Sequence, residues 1–275
     1  MENSRFLFKF YYIGSKRYHG SQRQPNYTTI EDILITALQE KGYVNEIKQS
    51  GFEVASRTDK LVSARGSVFS FITNKLPILM EINSVLPKRI GIWAYTKVPL
   101  EYYSRYNAQF RHYKYVTGYF KSSLNIKKMK MACKALEGRH NFRNFSKQEN
   151  KEEKTVRDLL LASLNIDGDF IIFDFKSRAF LRQQIRRMVA KILEVGLGVI
   201  NYDDFLDLFD PAKFISYQPA DPFGLILWDI NYGNSVHLTI DKKSKERMDN
   251  YFREREQYYI FKTKLFHLIQ HDDIG

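Results

Sequence analysis

Apolar residues along this chain shift their spacing from two to between three and four and back, and the shifts mark out the elements. Phe6, Phe8, Phe10 and Tyr12 alternate, which predicts a half-buried strand over 5–13. A polar loop follows over 14–27. Ile30, Ile33, Leu34, Ala37 and Leu38 then recur at helical spacing and predict a helix over 28–41. A Thr28–Glu31 capping box opens it and Gly42 can end it. Strands are predicted over 51–55, 67–73 and 90–98, with a short helix over 79–85 closed by Pro87. The first hundred residues therefore run strand, helix, strand, strand, helix, strand, which is an α+β order.

The second half repeats that order in outline. A long strand over 106–120 precedes a helix over 126–136, with Gly138 beyond its end. Strands over 156–165 and 170–176 flank Asp167-Gly168-Asp169, a hairpin signal. Leu181, Ile185, Met188, Val189, Ile192 and Leu193 form the strongest helical stripe, over 180–195, stopped by Gly196 and Gly198. A short helix over 202–208 and a last strand over 225–230 follow. The expectation is two related α+β halves, 1–104 and 105–235, and a charged, aromatic helical extension over 236–275. Within that extension, 241–269 reads as one long helix or two, packed on the body, on a second subunit or against RNA.

Composition narrows the partner. The 275 residues are 44% hydrophobic, enough for a folded chain with a sizeable core. Lys and Arg outnumber Asp and Glu to give a net charge of +12, which points to a polyanion, nucleic acid first and a membrane surface second. No apolar run approaches the ~18 residues of a membrane span. The first residues lack the apolar core of a signal peptide. Cys133 is the only cysteine, so an intrachain disulfide and a cysteine zinc site are excluded, and a reducing, cytoplasmic setting is expected. No HExxH, dinucleotide fingerprint, P-loop or nucleophile elbow occurs. His267 and His271 lie four apart with no third ligand in view, so no metal and no cofactor are expected.

Three stretches invite chemistry. In Ala55-Ser56-Arg57-Thr58-Asp59-Lys60 a carboxylate stands between cations, and small hydroxyl residues can fix the turn. It reads as a reaction centre or as a salt-bridged turn. In 105–115, alternation sets Arg111, Tyr113 and Tyr115 on one face and Phe110, His112 and Lys114 on the other. That suits a base-stacking platform, and equally an amphipathic strand. Arg178, Arg182 and Arg186 are four apart and would form one cationic ridge if all are helical. A solvated face, phosphate contacts, or one arginine paired with a buried carboxylate would each explain it.

Taken together, these stretches resemble the TruA-type tRNA pseudouridine synthases. Arg57-Thr58-Asp59-Lys60-Leu61-Val62-Ser63-Ala64 is similar to that family's nucleophile segment, Arg111-His112-Tyr113-Lys114-Tyr115 to its tyrosine motif, and Phe180-Leu181 through Arg186, Met188 and Val189 to its third. Weaker similarities occur at 20–26, 136–142 and 220–225, so the resemblance covers about residues 5–232. Three departures stand out: Leu61 replaces a usual glycine, Ile13 a usual aspartate and Ser21 a usual aromatic.

The resemblance implies the pseudouridine synthase fold, a mixed, largely antiparallel sheet flanked by helices. It implies isomerisation of uridine to pseudouridine in tRNA, in the anticodon arm at tRNA positions 38, 39 and 40, without a cofactor and as a homodimer. Asp59 would open the reaction, Arg186 would pair with it and keep it ionised, and Tyr113 would stack on the target base. Arg57 would hold the place of the extruded nucleotide. Lys60, Arg111, Gln22 and Arg182 would bind substrate. The alternatives are a non-catalytic RNA-binding protein on a synthase-like fold and a related synthase acting at other tRNA sites.

Overall fold

The structure, a computed structural model, describes residues 2–118, 124–148 and 154–270. Its elements are β1 (Ser4–Tyr12), α1 (Ile30–Glu40), α2 (Ile47–Ser50), β2 (Glu53–Val54), β3 (Ser63–Thr73), α3 (Leu79–Val85) and β4 (Ile90–Val98). Then come β5 (Phe110–Gly118), α4 (Ile126–Leu136), β6 (Gly138–Asn141), β7 (Val156–Asp167), β8 (Phe170–Ser177) and α5 (Gln184–Leu197). The chain closes with α6 (Tyr202–Asp207), β9 (Leu225–Asn231), β10 (Thr239–Ile240) and α7 (Lys242–Gln270).

All ten described strands join one sheet, in the order β10-β4-β1-β3-β9-β5-β8-β7-β6, with β2 also paired to β3. Among the described strands every pairing is antiparallel except β3 with β9, which run parallel through Ser63–Ile226 and Ala64–Leu227. The sheet is therefore mixed and largely antiparallel, and helices flank it. That short parallel junction is where β3 of the first half meets β9 of the second. The loop before β3, strand β5 and the turn before α5 all reach this seam.

β1 departs from the expected half-buried strand, because every residue from Arg5 to Tyr12 is buried. On one face Phe8 stacks on Phe69 and on Phe71, each at 5.0 Å between ring centres. Burying each ring is worth roughly 1.5–3 kcal/mol. On the other face Lys9 is bonded to Asp229, and Tyr11 packs with Trp93, Ala94, Met248 and Tyr251. The start of α7 supplies that second cover, a contact between residues more than two hundred positions apart that no local pattern reveals.

Several boundaries move. The capping box of α1 is Thr29 with Asp32, not Thr28 with Glu31, and Glu31 instead accepts from the Arg23 backbone. The strand expected over 106–120 begins at Phe110, because Asn107 N–H donates to Tyr103 O at 3.0 Å and closes a turn. Its expected last residues, 119 and 120, lie outside the described ones. The helix expected from 180 begins at Gln184, after Gln183 takes a left-handed conformation (φ 59°). Arg178 and Arg182 thus precede the helix, and the cationic ridge with Arg186 does not form. The extension is one helix, α7, preceded by β10, which adds to the sheet edge beside β4.

Candidate active site

The loop over 55–62 links β2 to β3, and its backbone is held from several sides. Ala55 N–H donates to Val68 O at 2.9 Å. Thr58 N–H donates to Ser21 Oγ at 2.8 Å, while Ser21 N–H donates to Thr58 O at 3.1 Å. The Thr58 hydroxyl shares a 2.7 Å bond with that of Tyr12. Two glycines permit this closeness: a Cβ on Gly14 would lie 2.1 Å from Leu61 O, and one on Gly20 would lie 2.7 Å from Thr58 O. Leu61, standing where the family has glycine, still takes the left-handed turn, at φ 72°. The departure therefore preserves the bend and places strain of about 1–3 kcal/mol on a residue with a side chain.

This loop presents Asp59 to α5. Arg186 Nη1 donates to Asp59 Oδ2 at 2.9 Å, and the two side chains are 10% and 34% exposed. Arg186 is itself fixed by Ala220, for its Nε donates to Ala220 O at 2.7 Å and its carbonyl accepts from Ala220 N–H at 3.0 Å. Its guanidinium cannot swing away without breaking that bond. Asp59 keeps access to the cleft, and the cation behind it is nearly buried. That geometry fixes the carboxylate in place while leaving it open to a substrate.

Tyr113 projects from β5 into the same cleft. Its hydroxyl shares a 2.9 Å hydrogen bond with Ser56 Oγ, and Phe180 meets its ring edge-on at 5.3 Å. Burial pushes its phenol above the ordinary tyrosine range, against the opposing pull of the Ser56 bond and the Arg111 charge. The group is a neutral hydroxyl on an aromatic wall.

Arg111, expected among the substrate-binding residues, spends its guanidinium on the protein. Its Nη1 donates to Arg178 O at 2.6 Å, and its Nη2 donates to Ala55 O at 2.9 Å and to Arg105 O at 2.6 Å. It ties the start of the Asp59 loop to the segments before β5 and α5. Gln22, Arg57, Lys60 and Arg182 line the cleft, which encloses about 710 Å³. Arg57, Lys60 and Arg182 are exposed at its rim, and Lys60 Nζ is 3.1 Å from His19 Nε2. The structure thus gathers the eight expected residues about one cleft, and of these Arg111 has its guanidinium held by three backbone carbonyls.

Sequence reasoning did not single out Tyr12, His19 or Ala220 for this site, and it took Ser21 as a departure. Ser21 is buried and makes two bonds to Thr58, so a small hydroxyl residue there has a definite structural use. Gly20 beside it was the available signal, since a glycine next to a polar buried position marks a close backbone approach. Among the described residues no group of three His, Cys, Asp or Glu side chains comes together as a metal site, and His271 lies outside them.

The chain is similar to known proteins along most of its length. The family model described as tRNA pseudouridine synthase matches residues 132–233. A protein of Methanosphaera stadtmanae named tRNA pseudouridine synthase A is 38% identical over 236 residues, covering 84% of this chain and 85% of the relative. Proteins of the same name from Methanosarcina mazei and Archaeoglobus fulgidus are each 35% identical over 272 residues, covering 98% of this chain and 100% and 99% of the relatives. Alignment over 98% of the chain necessarily takes in most of α7, which the resemblance over 5–232 left out. With such identity along nearly its whole length, the chain belongs to the tRNA pseudouridine synthase family.

Proposed function

We propose that this protein isomerises uridine to pseudouridine in tRNA, in the anticodon arm, working in the cytoplasm as a homodimer. The observation that carries the reading is the Asp59–Arg186 pair, facing a cleft walled by Tyr113. Its relatives' names supply the reaction and the RNA class. In the reaction the glycosidic N1–C1′ bond of uridine breaks, the uracil turns, and a C5–C1′ bond forms. The C5 proton leaves and N1 gains one, so atoms balance with no redox partner or nucleotide.

Each residue has a part in this scheme. Asp59 supplies the electron pair that opens the reaction. Arg186 holds that carboxylate in place. Tyr113 stacks on the turning base and keeps a neutral hydroxyl beside it for proton transfer. Arg57 fills the space left by the extruded nucleotide, and Lys60, Arg182 and Gln22 meet the RNA around it. Arg111 acts through the loop it holds. The excess of cations supplies salt-dependent affinity for the backbone. No helix among the described residues is long and apolar enough to cross a membrane.

The test is pseudouridine mapping on unmodified tRNA by carbodiimide-dependent primer extension. Wild type should modify the anticodon arm, and Asp59→Ala should lose turnover while binding tRNA within about twofold. Product made by Asp59→Ala would remove Asp59 from the chemistry. A wild type that binds tRNA but forms no product would mean a non-catalytic binder.

A further inference from the structure

Beside the cleft stands an aromatic pair, His19 and Tyr27, with no part in the scheme above. The chain between them turns at Pro25 and Asn26, and Asn26 is left-handed at φ 63°. Proline followed by asparagine at positive φ is the signature of a type II turn. A bridge pairs Gln24 with Tyr27 across it. His19 N–H donates to Thr28 O at 2.9 Å, and Gln24 Nε2 donates to His19 O at 2.7 Å, so both arms of the turn are tied to His19. The two rings stack, 4.1 Å apart between centres and 30° from parallel. Tyr27 is still 52% exposed although one of its faces is covered.

Two observations connect this pair to the reaction centre. Lys60, which follows Asp59, holds its Nζ 3.1 Å from His19 Nε2. An ammonium has three N–H donors and no acceptor, so Nε2 accepts one of them and two remain. His19 Nδ1, in turn, is buried and finds no hydrogen-bond partner among the described residues. The imidazole is thus positioned by Lys60 and by its stack on Tyr27, which is how a ring is held when it backs another. His19, Gln22 and Gln24 line the cleft, and Tyr27 stands behind His19, outside that lining. Tyr113, by contrast, is 5% exposed and suits a base drawn into the cleft, whereas the open Tyr27 suits one that stays at its edge.

The surroundings select the occupant. A stable protein partner needs about 800 Å² of complementary surface with an apolar centre. Here one exposed ring stands among Gln24, Asn26 and Thr28, all exposed and polar. A membrane surface likewise asks for several apolar side chains together. A lone ring beside a cation is instead matched by a flat base on an anionic backbone, since the base stacks and its phosphate takes the free ammonium donors.

We propose that Tyr27, backed by His19, is the stacking platform for an unpaired RNA base flanking the target uridine, with the phosphate beside that base on Lys60. This rests on the tRNA reading above and adds a subsite to it. The test measures Kd, KM and kcat on unmodified tRNA for wild type, Tyr27→Ala, Tyr27→Phe and Tyr27→Leu. Losing the ring should raise Kd and KM about tenfold in Tyr27→Ala and Tyr27→Leu. The same two variants should keep kcat within about twofold, and Tyr27→Phe should match wild type throughout. His19→Gln keeps an acceptor for Lys60 but removes the backing ring, and should fall between. Circular dichroism should show every variant folded, because neither Tyr27 nor His19 belongs to the core. A direct readout comes from tRNA carrying 2-aminopurine at one position at a time on either side of the target. Emission at one of these positions should be quenched by wild type and by Tyr27→Phe, and should stay bright with Tyr27→Ala. Equal Kd and equal emission in wild type and Tyr27→Ala would overturn the platform while leaving the reaction standing. A rise in Kd shared by Tyr27→Phe would assign the effect to the hydroxyl, against stacking. Unchanged Kd with a lowered light-scattering mass in Tyr27→Ala would give the ring to a protein contact, also against the proposal. A wild type that binds tRNA without forming product would remove the reaction, and the platform would still be decided by Kd and emission.

Discussion

Asp59 and Arg186 stand 127 positions apart in the chain and 2.9 Å apart in space, joined across the seam between β3 and β9. In the proposed reaction the carboxylate and its cation act as one unit, and their losses should then not add. Asp59→Asn and Arg186→Met are each expected to lower kcat by about 10³-fold or more, and the double variant by little more than the worse single one. Single-turnover assays on all three test this. Multiplying losses would mean the two residues act independently.

Arg111 holds three backbone carbonyls, at Ala55, Arg105 and Arg178. Arg111→Met should destabilise the fold by about 3 kcal/mol in urea unfolding, since charged hydrogen bonds are lost and the carbonyls are left without donors. Turnover should fall through kcat with KM nearly unchanged, because the guanidinium is spent on the carbonyls that position the Asp59 loop. Arg111→Lys, able to reach one carbonyl, should recover part of both. A rise confined to KM would place Arg111 on the RNA instead.

Tyr113→Phe keeps the ring against Phe180 and removes the bond to Ser56. It should leave tRNA binding within about twofold and lower kcat by ~10²–10⁴, the usual worth of a positioned acid or base. Ser56→Ala, which leaves the hydroxyl without its partner, should cost far less. Weakened binding with normal kcat in Tyr113→Phe would reduce the hydroxyl to a binding contact.

Buried tyrosines give the fold an alkaline limit. Burial raises Tyr11, Tyr102 and Tyr115 to about 12. An unfolded tyrosine ionises near ~10, so above that pH the unfolded chain sheds protons that the folded chain retains. The stability from these groups is whole below pH ~10 and is lost as pH rises toward 12. Urea midpoints at pH 7, 8 and 11 should be level between the first two and fall at the third. A level series would contradict the burial argument.

Gly14 and Leu61 test the loop from opposite sides. Gly14→Ala puts a methyl 2.1 Å from Leu61 O, so the loop must move and activity should drop by at least ~10²-fold. Leu61→Gly relieves the left-handed strain and adds backbone freedom to the unfolded chain, terms of similar size. Its stability should stay within about 1 kcal/mol of wild type, with full activity. Leu61→Ile, β-branched at positive φ, should be the least stable of the pair.

The element order was readable because spacing is a local signal. Helices α3 and α4 occur at the expected residues, and β4 likewise. Short elements such as α2, β6 and β10 were not readable, since two to four residues carry no period. The start of α5 was misplaced because Leu181 fits the apolar stripe although its backbone belongs to the preceding turn, where its N–H donates to Gln184 Oε1 at 2.8 Å.

By itself the sequence determined the alternation of elements, the cationic balance, and the residue types for a carboxylate, an aromatic platform and a cation, because these follow from side-chain chemistry and short-range period. Tertiary structure brought Asp59 to Arg186, the arginine that the family resemblance named. It also turned Arg111 inward to hold the loop, gave Ser21 its partner and buried the second face of β1 under α7. Each of these depends on a contact between segments distant in the chain, and such contacts are chosen by how the whole sheet closes and covers its polar groups.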